Sequence, residues 1–476
     1  MNNSIQKYIV IAGAGMTGMM SALKLRKMYP HFPILIFDKS DQPGGMYGSI
    51  SYKEGHIFDF GMHVIYESCN SEVDDLYLEI LNREEWHIYP GNEKDIAGLF
   101  FNGKLQEYSH YVDLRSFPKE QQLQYFGGFF DNLGKNHQFN SIKAMDFLRS
   151  QFGEYISDKI HSKILFNLYH KEPEDINVFA IKATALERII LFDKEIMLDL
   201  MKSDILRSKI AFPDQINLPP YRTNTQKALY PKKFGMSYFF DRFTKLLKDL
   251  NIEILNGTSL KHLHRDKSRI TQLELCDREG KTHDISVERL IWTAGWHSLA
   301  PSLNVNISDL KMDKGQRIVY INLVLDKPPV MGKLYYFYCY DKGFATFRVT
   351  NYSNYCPGAG GKGNYPVCVE FWPSRIGLDP DKTSEEQLIK AALDEIKHFG
   401  IIKDHQIIFS KAENIKSEFP MPSNLNFNNF RELRNRVAQE NIINLIVSGV
   451  MAEDGLFFLP DILNDAFKKI STIRLD

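Results

Sequence analysis

The first 38 residues compress a strand, a glycine turn, a helix and a second strand ending on an acid, and that order limits the fold more than any other feature of the chain. Residues 7–12 (KYIVIA) form a nearly continuous apolar run, as a parallel strand covered on both faces requires. The turn that follows carries Gly13, Gly15 and Gly18 at Gly-x-Gly-x-x-Gly spacing. Gly13 suits the tight turn, Gly15 lets a pyrophosphate approach the backbone, and Gly18 lets the helix pack on the strand. Residues 16–28 (MTGMMSALKLRKM) are good helix formers, with Arg26 and Lys27 in the last turn, where cations complement the helix dipole. The amides of Met16 and Thr17, at the helix N-terminus, would face phosphate. Residues 34–37 (ILIF) give the second strand, and Asp38 at its end is placed to accept hydrogen bonds from ribose hydroxyls and to disfavour a 2′-phosphate. These features predict an α/β fold with a Rossmann-type dinucleotide-binding domain.

A second match to the glycine spacing, Gly358, Gly360 and Gly363 in PGAGGKGNYP, follows no strand and runs into Pro366 where a helix would have to start. It reads as a loop that binds nothing. Residues 73–222 are predominantly helical in pattern, with residues 145–160 (MDFLRSQFGEYISDKI) carrying apolar positions at three- and four-residue spacing. Strand-like runs return at residues 252–255, 270–275, 289–295, 317–325, 366–372 and 442–449, and residues 460–470 read as a closing helix. The expected organisation is a discontinuous cofactor domain (1–72, 223–303, 413–476) with a substrate domain inserted as a helical part (73–222) and an antiparallel-sheet part (304–412).

A net charge of −1 argues against a nucleic-acid binder. Five cysteines with no CxxC spacing argue against a disulfide framework or a zinc site, and no metal is expected. No apolar run is long enough to span a bilayer and no signal-peptide pattern opens the chain, so the expected location is cytoplasmic.

Geometry to this point allows NAD or FAD. The run from Asp38 through Gln42 to Gly44 and Gly45 resembles the extended FAD signature of the amine oxidase, protoporphyrinogen oxidase and UDP-galactopyranose mutase superfamily. That resemblance implies FAD, held by Gly13, Gly15, Met16, Thr17, Gly18, Asp38, Lys39, Gly44, Gly45 and Met46. Residues 58–68 (FDFGMHVIYES) are similar to the family segment beside the isoalloxazine, which implies Gly61, Met62 and His63 as further contacts. Residues 228–247, followed by NIEILNGTSLKHL and RLIWTAGWHSL, resemble the return into the FAD domain, implying Leu260 near the adenine and Ala294 and Gly295 at the cofactor. Residues 444–467 resemble the C-terminal flavin-contacting segment and imply Gly449, Leu456 and Phe457. The chain departs from the relatives at Gln42 and Val450, where they commonly carry Arg, and at Asp454 and Leu456, where the mutases have tyrosines.

The catalytic candidates are His63, whose imidazole titrates near neutrality, and Arg348, which lies in an aromatic-rich stretch (residues 335–355) similar to the family's substrate-face strands. Glu370, Lys232, Lys233 and His297 are weaker candidates, for which solvated or packing roles are the default. The resemblance implies an FAD-dependent oxidoreductase passing a hydride from a small-molecule substrate to the flavin. The substrate is expected to be anionic or nucleotide-linked, such as a sugar nucleotide in polysaccharide assembly. A redox-neutral mutase is the first alternative, and a flavin-containing binding or assembly protein the second.

Overall fold

The computed structural model describes residues 6–135, 141–223 and 225–475. Two compact units result, Met1–Ile88 with Gln226–Lys311 and Asn428–Asp476, and Tyr89–Thr225 with Met312–Phe427.

In the first unit the strand Tyr8–Ala12 lies at the centre of a seven-stranded sheet in the order Ile252–Leu255, Ile34–Phe37, Tyr8–Ala12, Thr282–Trp292, Arg269–Cys276, Ser259–Asp266, with Leu445–Val447 also paired to Thr282–Trp292. The pairs around the centre are parallel, with Val10 opposite Leu35 and Leu290, and Leu290 opposite Leu445. Such a sheet is buried on both faces, which is why its core strands read as unbroken apolar runs. One face packs Val10, Ala12, Leu35, Phe37, Leu290 and Trp292 against Trp296, Leu299, Leu433 and Val437. Residues of opposite parity, Ile9, Ile11, Ile34 and Ile36, are equally buried. The helix Met16–Met28 is buried almost all round, and it contacts the sheet and the helix Leu459–Ile470. Arg26 ends it by donating to the carbonyls of Pro30 (2.8 Å), Phe32 (2.9 Å) and Asn251 (3.0 Å), a tighter fastening than a dipole contact alone.

The second unit carries a seven-stranded sheet in the order Ile407–Phe419, Gln316–Leu325, Tyr365–Phe371, Thr346–Asn351, Tyr336–Cys339, Ala97–Phe101, Lys104–Gln106. It is antiparallel except where Tyr336–Cys339 runs parallel to Ala97–Phe101. Two of these strands come from residues 73–222, a region whose sequence pattern reads as helical. The helical spacing over residues 145–160 is divided among several elements: Ala144–Phe152 stops at Gly153 (φ +83°), and a π-helical turn, Ser157–His161, precedes Ser162–Tyr169. A Cβ on Gly153 would lie 2.9 Å from the Gly128 carbonyl oxygen, so the chain must turn away here. Gly358, Gly360 and Gly363 sit in the loop between Tyr352–Tyr355 and Tyr365–Phe371, all with positive φ, and no helix follows them. Among the described residues no helix is long and apolar enough to cross a membrane.

Candidate functional site

The glycine turn of the first unit is built from contacts that converge on the C-terminal ends of the parallel strands. Gly13 has φ +109°, its N–H donates to the Phe37 carbonyl (2.9 Å), and a Cβ there would lie 2.5 Å from Thr293 Oγ1. Gly18 is closer still: its Cβ would fall 1.9 Å from the Gly13 carbonyl oxygen. Gly15 differs from both, because a Cβ on it would meet no protein atom within 4 Å. It faces open space at the N-terminus of the Met16–Met28 helix, whose first turn holds no acidic residue and receives no side-chain cap. Uncapped amides at a helix N-terminus, reached past a residue without a side chain, form a cradle that fits phosphate.

Asp38 closes the turn from the other side. Its Oδ2 accepts from the Ala14 N–H (2.7 Å) and its Oδ1 from the Ser40 N–H (2.8 Å), while its own N–H donates to the Leu255 carbonyl (3.0 Å). Thr258 donates to the Asp38 carbonyl (2.8 Å), which ties the segment leading to Leu260 to this acid. Gly44 donates to the Ala14 carbonyl (2.8 Å) and bridges Gly15, so the second glycine pair lies against the first turn. Gly44 has φ +118° and Gly45 +56°; a Cβ on Gly44 would press on the Phe240 ring at 3.0 Å. Lys39 and Met46 are exposed. Tyr47, next to that pair, lies with its ring centroid 4.9 Å from that of His63, and burial pushes its phenol up. Gly61 (φ +78°) and the buried Met62 precede His63 in the same loop.

The distal segments reach the same strand ends. Ser448 donates to the Trp292 carbonyl (3.0 Å), and the Cα of Gly449 lies beside Thr293, whose carbonyl oxygen would be 3.4 Å from a Cβ there. Met451 donates to the Leu456 carbonyl (2.8 Å), closing the turn that leads to Phe457. Gly295 (φ +83°) caps the helix Trp296–Ser302. Asp454 is engaged by Arg431 (2.5 Å) and Arg434, and Val450 is half exposed. His297 lies edge-on to Phe430 (5.5 Å), Lys233 over Tyr238 (4.9 Å), and Lys232 donates its backbone N–H to the Glu85 carbonyl (2.8 Å).

Two residues absent from the sequence expectations belong to this constellation. Thr293 packs against Gly13 and donates from Oγ1 to the Ala12 carbonyl (2.8 Å). Asp59 is a fully buried carboxylate just ahead of Gly61.

Arg348 belongs to the second unit. A row across its sheet places Tyr338, Arg348, Glu370 and Tyr320 side by side, with Arg348 Nε donating to Glu370. Burial works against the guanidinium charge, but Glu370 outweighs it and holds Arg348 firmly protonated. The Tyr336 ring lies 5.4 Å from the guanidinium carbon, a cation–π distance.

Fold and glycine turn together define a Rossmann-type dinucleotide-binding α/β protein. The family described as NAD(P)-binding Rossmann-like domain matches residues 11–80. The chain resembles the solved structure of reduced UDP-galactopyranose mutase, with a TM-score of 0.74 at 16% identity over 98% of this chain and 93% of that one. A protein assigned as a protoporphyrinogen oxidase from Exiguobacterium sp. 255-15 superposes with a TM-score of 0.67 at 16% identity, covering 98% of both chains. Phytoene desaturase from Fusarium fujikuroi is 24% identical over 284 residues, 56% of this chain and 45% of that protein, so the chain spans about half the length of the curated relatives it matches. The chain thus has the fold of these two solved structures.

Proposed function

We propose that the first unit binds FAD and that the chain is an FAD-dependent oxidoreductase. The observation that carries the reading is the open Gly15 cradle beside Asp38, backed by the second glycine pair, Gly44 and Gly45. In this reading the amides at Gly15, Met16 and Thr17 hold the pyrophosphate, and Gly13 and Gly18 keep helix and strand close enough to do so. Asp38, oriented by the Ala14 and Ser40 amides, offers its remaining lone pairs to ribose hydroxyls. Leu260 lies toward the adenine. Lys39, Gly44, Gly45, Met46, Gly61, Met62, His63, Ala294, Gly295, Gly449, Leu456 and Phe457 line the rest of the cofactor. FAD, when bound, supplies the two-electron acceptor for a substrate hydride. His63 would accept or donate the accompanying proton, and Arg348, held by Glu370, would orient a small anionic or nucleotide-linked substrate. A cytoplasmic, reducing setting belongs to the same reading, which rests on five cysteines without CxxC spacing.

The experiment is anaerobic mixing of FAD-loaded protein with candidate substrates. Bleaching of the flavin absorption supports the oxidoreductase. The likeness to UDP-galactopyranose mutase motivates a second, redox-neutral reading, under which turnover appears only after the flavin has been chemically reduced. Val450 and the ion-paired Asp454, at positions where the mutases carry Arg and Tyr, count against it. Protein that neither retains nor takes up FAD would end both readings.

Two substitutions test the residue roles. Asp38→Ala removes at least one charge-assisted hydrogen bond to the ribose, a contribution of roughly 1.5–3 kcal/mol, so FAD affinity should fall by at least about ten- to a hundredfold in a titration. Undiminished affinity removes Asp38 from the site. Arg348→Ala should lower kcat/KM by at least about tenfold while leaving the FAD content unchanged, and a variant with full activity would assign Arg348 to packing.

A further inference from the structure

Asp59 is 0% exposed at the end of the strand Ile57–Asp59, and donors approach it from distant parts of the first unit. Oδ1 accepts from Ser49 Oγ (2.6 Å) and from the N–H of Met236 (2.8 Å), the first residue of the Met236–Asp249 helix. Oδ2 accepts from Tyr230 OH (2.6 Å). Both hydroxyls pass the connection on: Tyr230 OH accepts from the Gly235 N–H (3.2 Å), and Ser49 Oγ accepts from the Ser237 N–H (2.8 Å). A carboxylate at this helix N-terminus therefore gathers the amides of Gly235, Met236 and Ser237, directly or through one hydroxyl, where the helix dipole also favours a negative charge. Burial pushes the carboxyl up to about 6 in spite of these three donors. A charge kept buried at that cost calls for a reason in what it joins together.

The joined segments are those that shape the candidate cofactor site. Ser49 follows the Gly45–Tyr47 turn, and Gly61, Met62 and His63 follow Asp59. The Met236–Asp249 helix carries Phe240, whose ring closes on Gly44. Gly235, in front of that helix, has φ +99°, and a Cβ on it would lie 2.8 Å from Ile57 Cγ2, so helix start and strand meet with no slack.

We infer that Asp59 is a positioning residue of the cofactor site, locking the Gly44–Gly45 turn and the His63 loop to the N-terminus of the Met236–Asp249 helix. The inference rests on the FAD reading for what is positioned. Asp59 itself touches neither substrate nor cofactor in this assignment. Its role is to hold two backbone segments at a fixed spacing, and side-chain amide replacement loosens that spacing because Asn cannot accept at both ends.

The test uses the full chain with Asp59→Asn, and Asp59→Ala as a second variant, read by FAD titration, by the flavin absorption spectrum and by hydrogen exchange without FAD. Asp59→Asn should weaken FAD binding by about tenfold or more, the cost of one charge-assisted hydrogen bond. It should also perturb the flavin bands and accelerate exchange at residues 44–48, 61–63 and 235–237, while the central strand at residues 9–12 stays protected. Wild-type affinity, spectrum and exchange overturn the inference. Acceleration spread evenly over the first unit also overturns it, since that is the mark of a purely structural group. If the wild type itself takes up no FAD, the cofactor reading falls, and the exchange pattern still decides whether Asp59 fixes these segments.

Discussion

Gly18→Ala is expected to abolish FAD uptake and to destabilise the first unit by about 3 kcal/mol or more, whereas Gly15→Ala is expected to abolish uptake alone. The new methyl at residue 18 would sit 1.9 Å from the Gly13 carbonyl oxygen and 3.2 Å from Thr293 Oγ1. The first of these neighbours is backbone, inside a turn already fixed by Gly13 at φ +109° and by its bond to Phe37, so helix and strand must part by more than an ångström. Overpacking in a close-fitted core typically costs about 1–3 kcal/mol, and a clash with main chain lies at or beyond the upper end. At residue 15 the backbone sits at φ −76° and ψ 178°, ordinary extended geometry for alanine, and no protein atom lies within 4 Å of the new methyl. The fold should therefore accept Gly15→Ala with Tm close to wild type. The methyl instead occupies the space through which a pyrophosphate reaches the helix amides. Thermal unfolding and FAD titration of the two variants check the pair. A Gly15→Ala protein that binds FAD with wild-type affinity would show that the cradle does not receive the cofactor.

The contrast between these glycines explains how much of the molecule could be read from its sequence. Strand, turn, helix, strand and Asp38 lie within 38 consecutive residues, and each is specified by neighbours in the chain, so the pattern carries the local structure directly. The helix appears at Met16–Met28 and the second strand at Ile34–Phe37, as the pattern predicts. Thr293 and Asp59 were not legible, because their importance lies in partners far along the chain: Thr293 meets Gly13, and Asp59 meets Tyr230 and Met236. The only local sign of either is its place, directly after an apolar strand for Thr293 and two residues before Gly61 for Asp59. The strand Ala97–Phe101 is not legible in the sequence for a related reason. Its five buried residues, AGLFF, make an apolar run that fits a helix segment as well as a strand, and only pairing with Tyr336–Cys339 decides. The edge strand Ile407–Phe419 mixes charged and apolar residues without clean alternation, and its pairing with Gln316–Leu325 likewise comes from elsewhere in the chain. Contacts to a ligand leave no periodicity in sequence, so only motif resemblance points to the residues around the cofactor.

Acidification from pH 7 to pH 5 is expected to destabilise the second unit strongly, and His161→Phe should remove a large part of that loss. His161 is 0% exposed in the π-helical turn, packs 5.0 Å from the Phe152 ring, and finds no hydrogen-bond partner for either ring nitrogen among the described residues. Burial pushes its imidazole down from 6.5 to about 3. His110 is pushed down to about 4 by burial and by the nearby Arg188 charge. Between the unfolded value and these folded values only the unfolded chain takes up the protons, so the stability contributed above pH 6.5 is lost as pH falls toward 4 and 3. At about 1.4 kcal/mol per pKa unit the limits are about 5 kcal/mol for His161 and about 3 kcal/mol for His110. Asp59, in the first unit, acts with the opposite sign: its carboxyl is raised from 3.8 to about 6, so its contribution is complete at low pH and is lost as pH rises through 6. Between pH 7 and pH 5 the loss therefore belongs to the histidines, because carboxylates held low, such as Asp214, give up their contribution only at more acid pH. Phenylalanine keeps a planar aromatic ring at the His161 site and brings no nitrogen to desolvate, which predicts a higher Tm at pH 7 and an advantage over wild type that widens at pH 5. An advantage of equal size at both pH values would show that His161 is not the group being titrated.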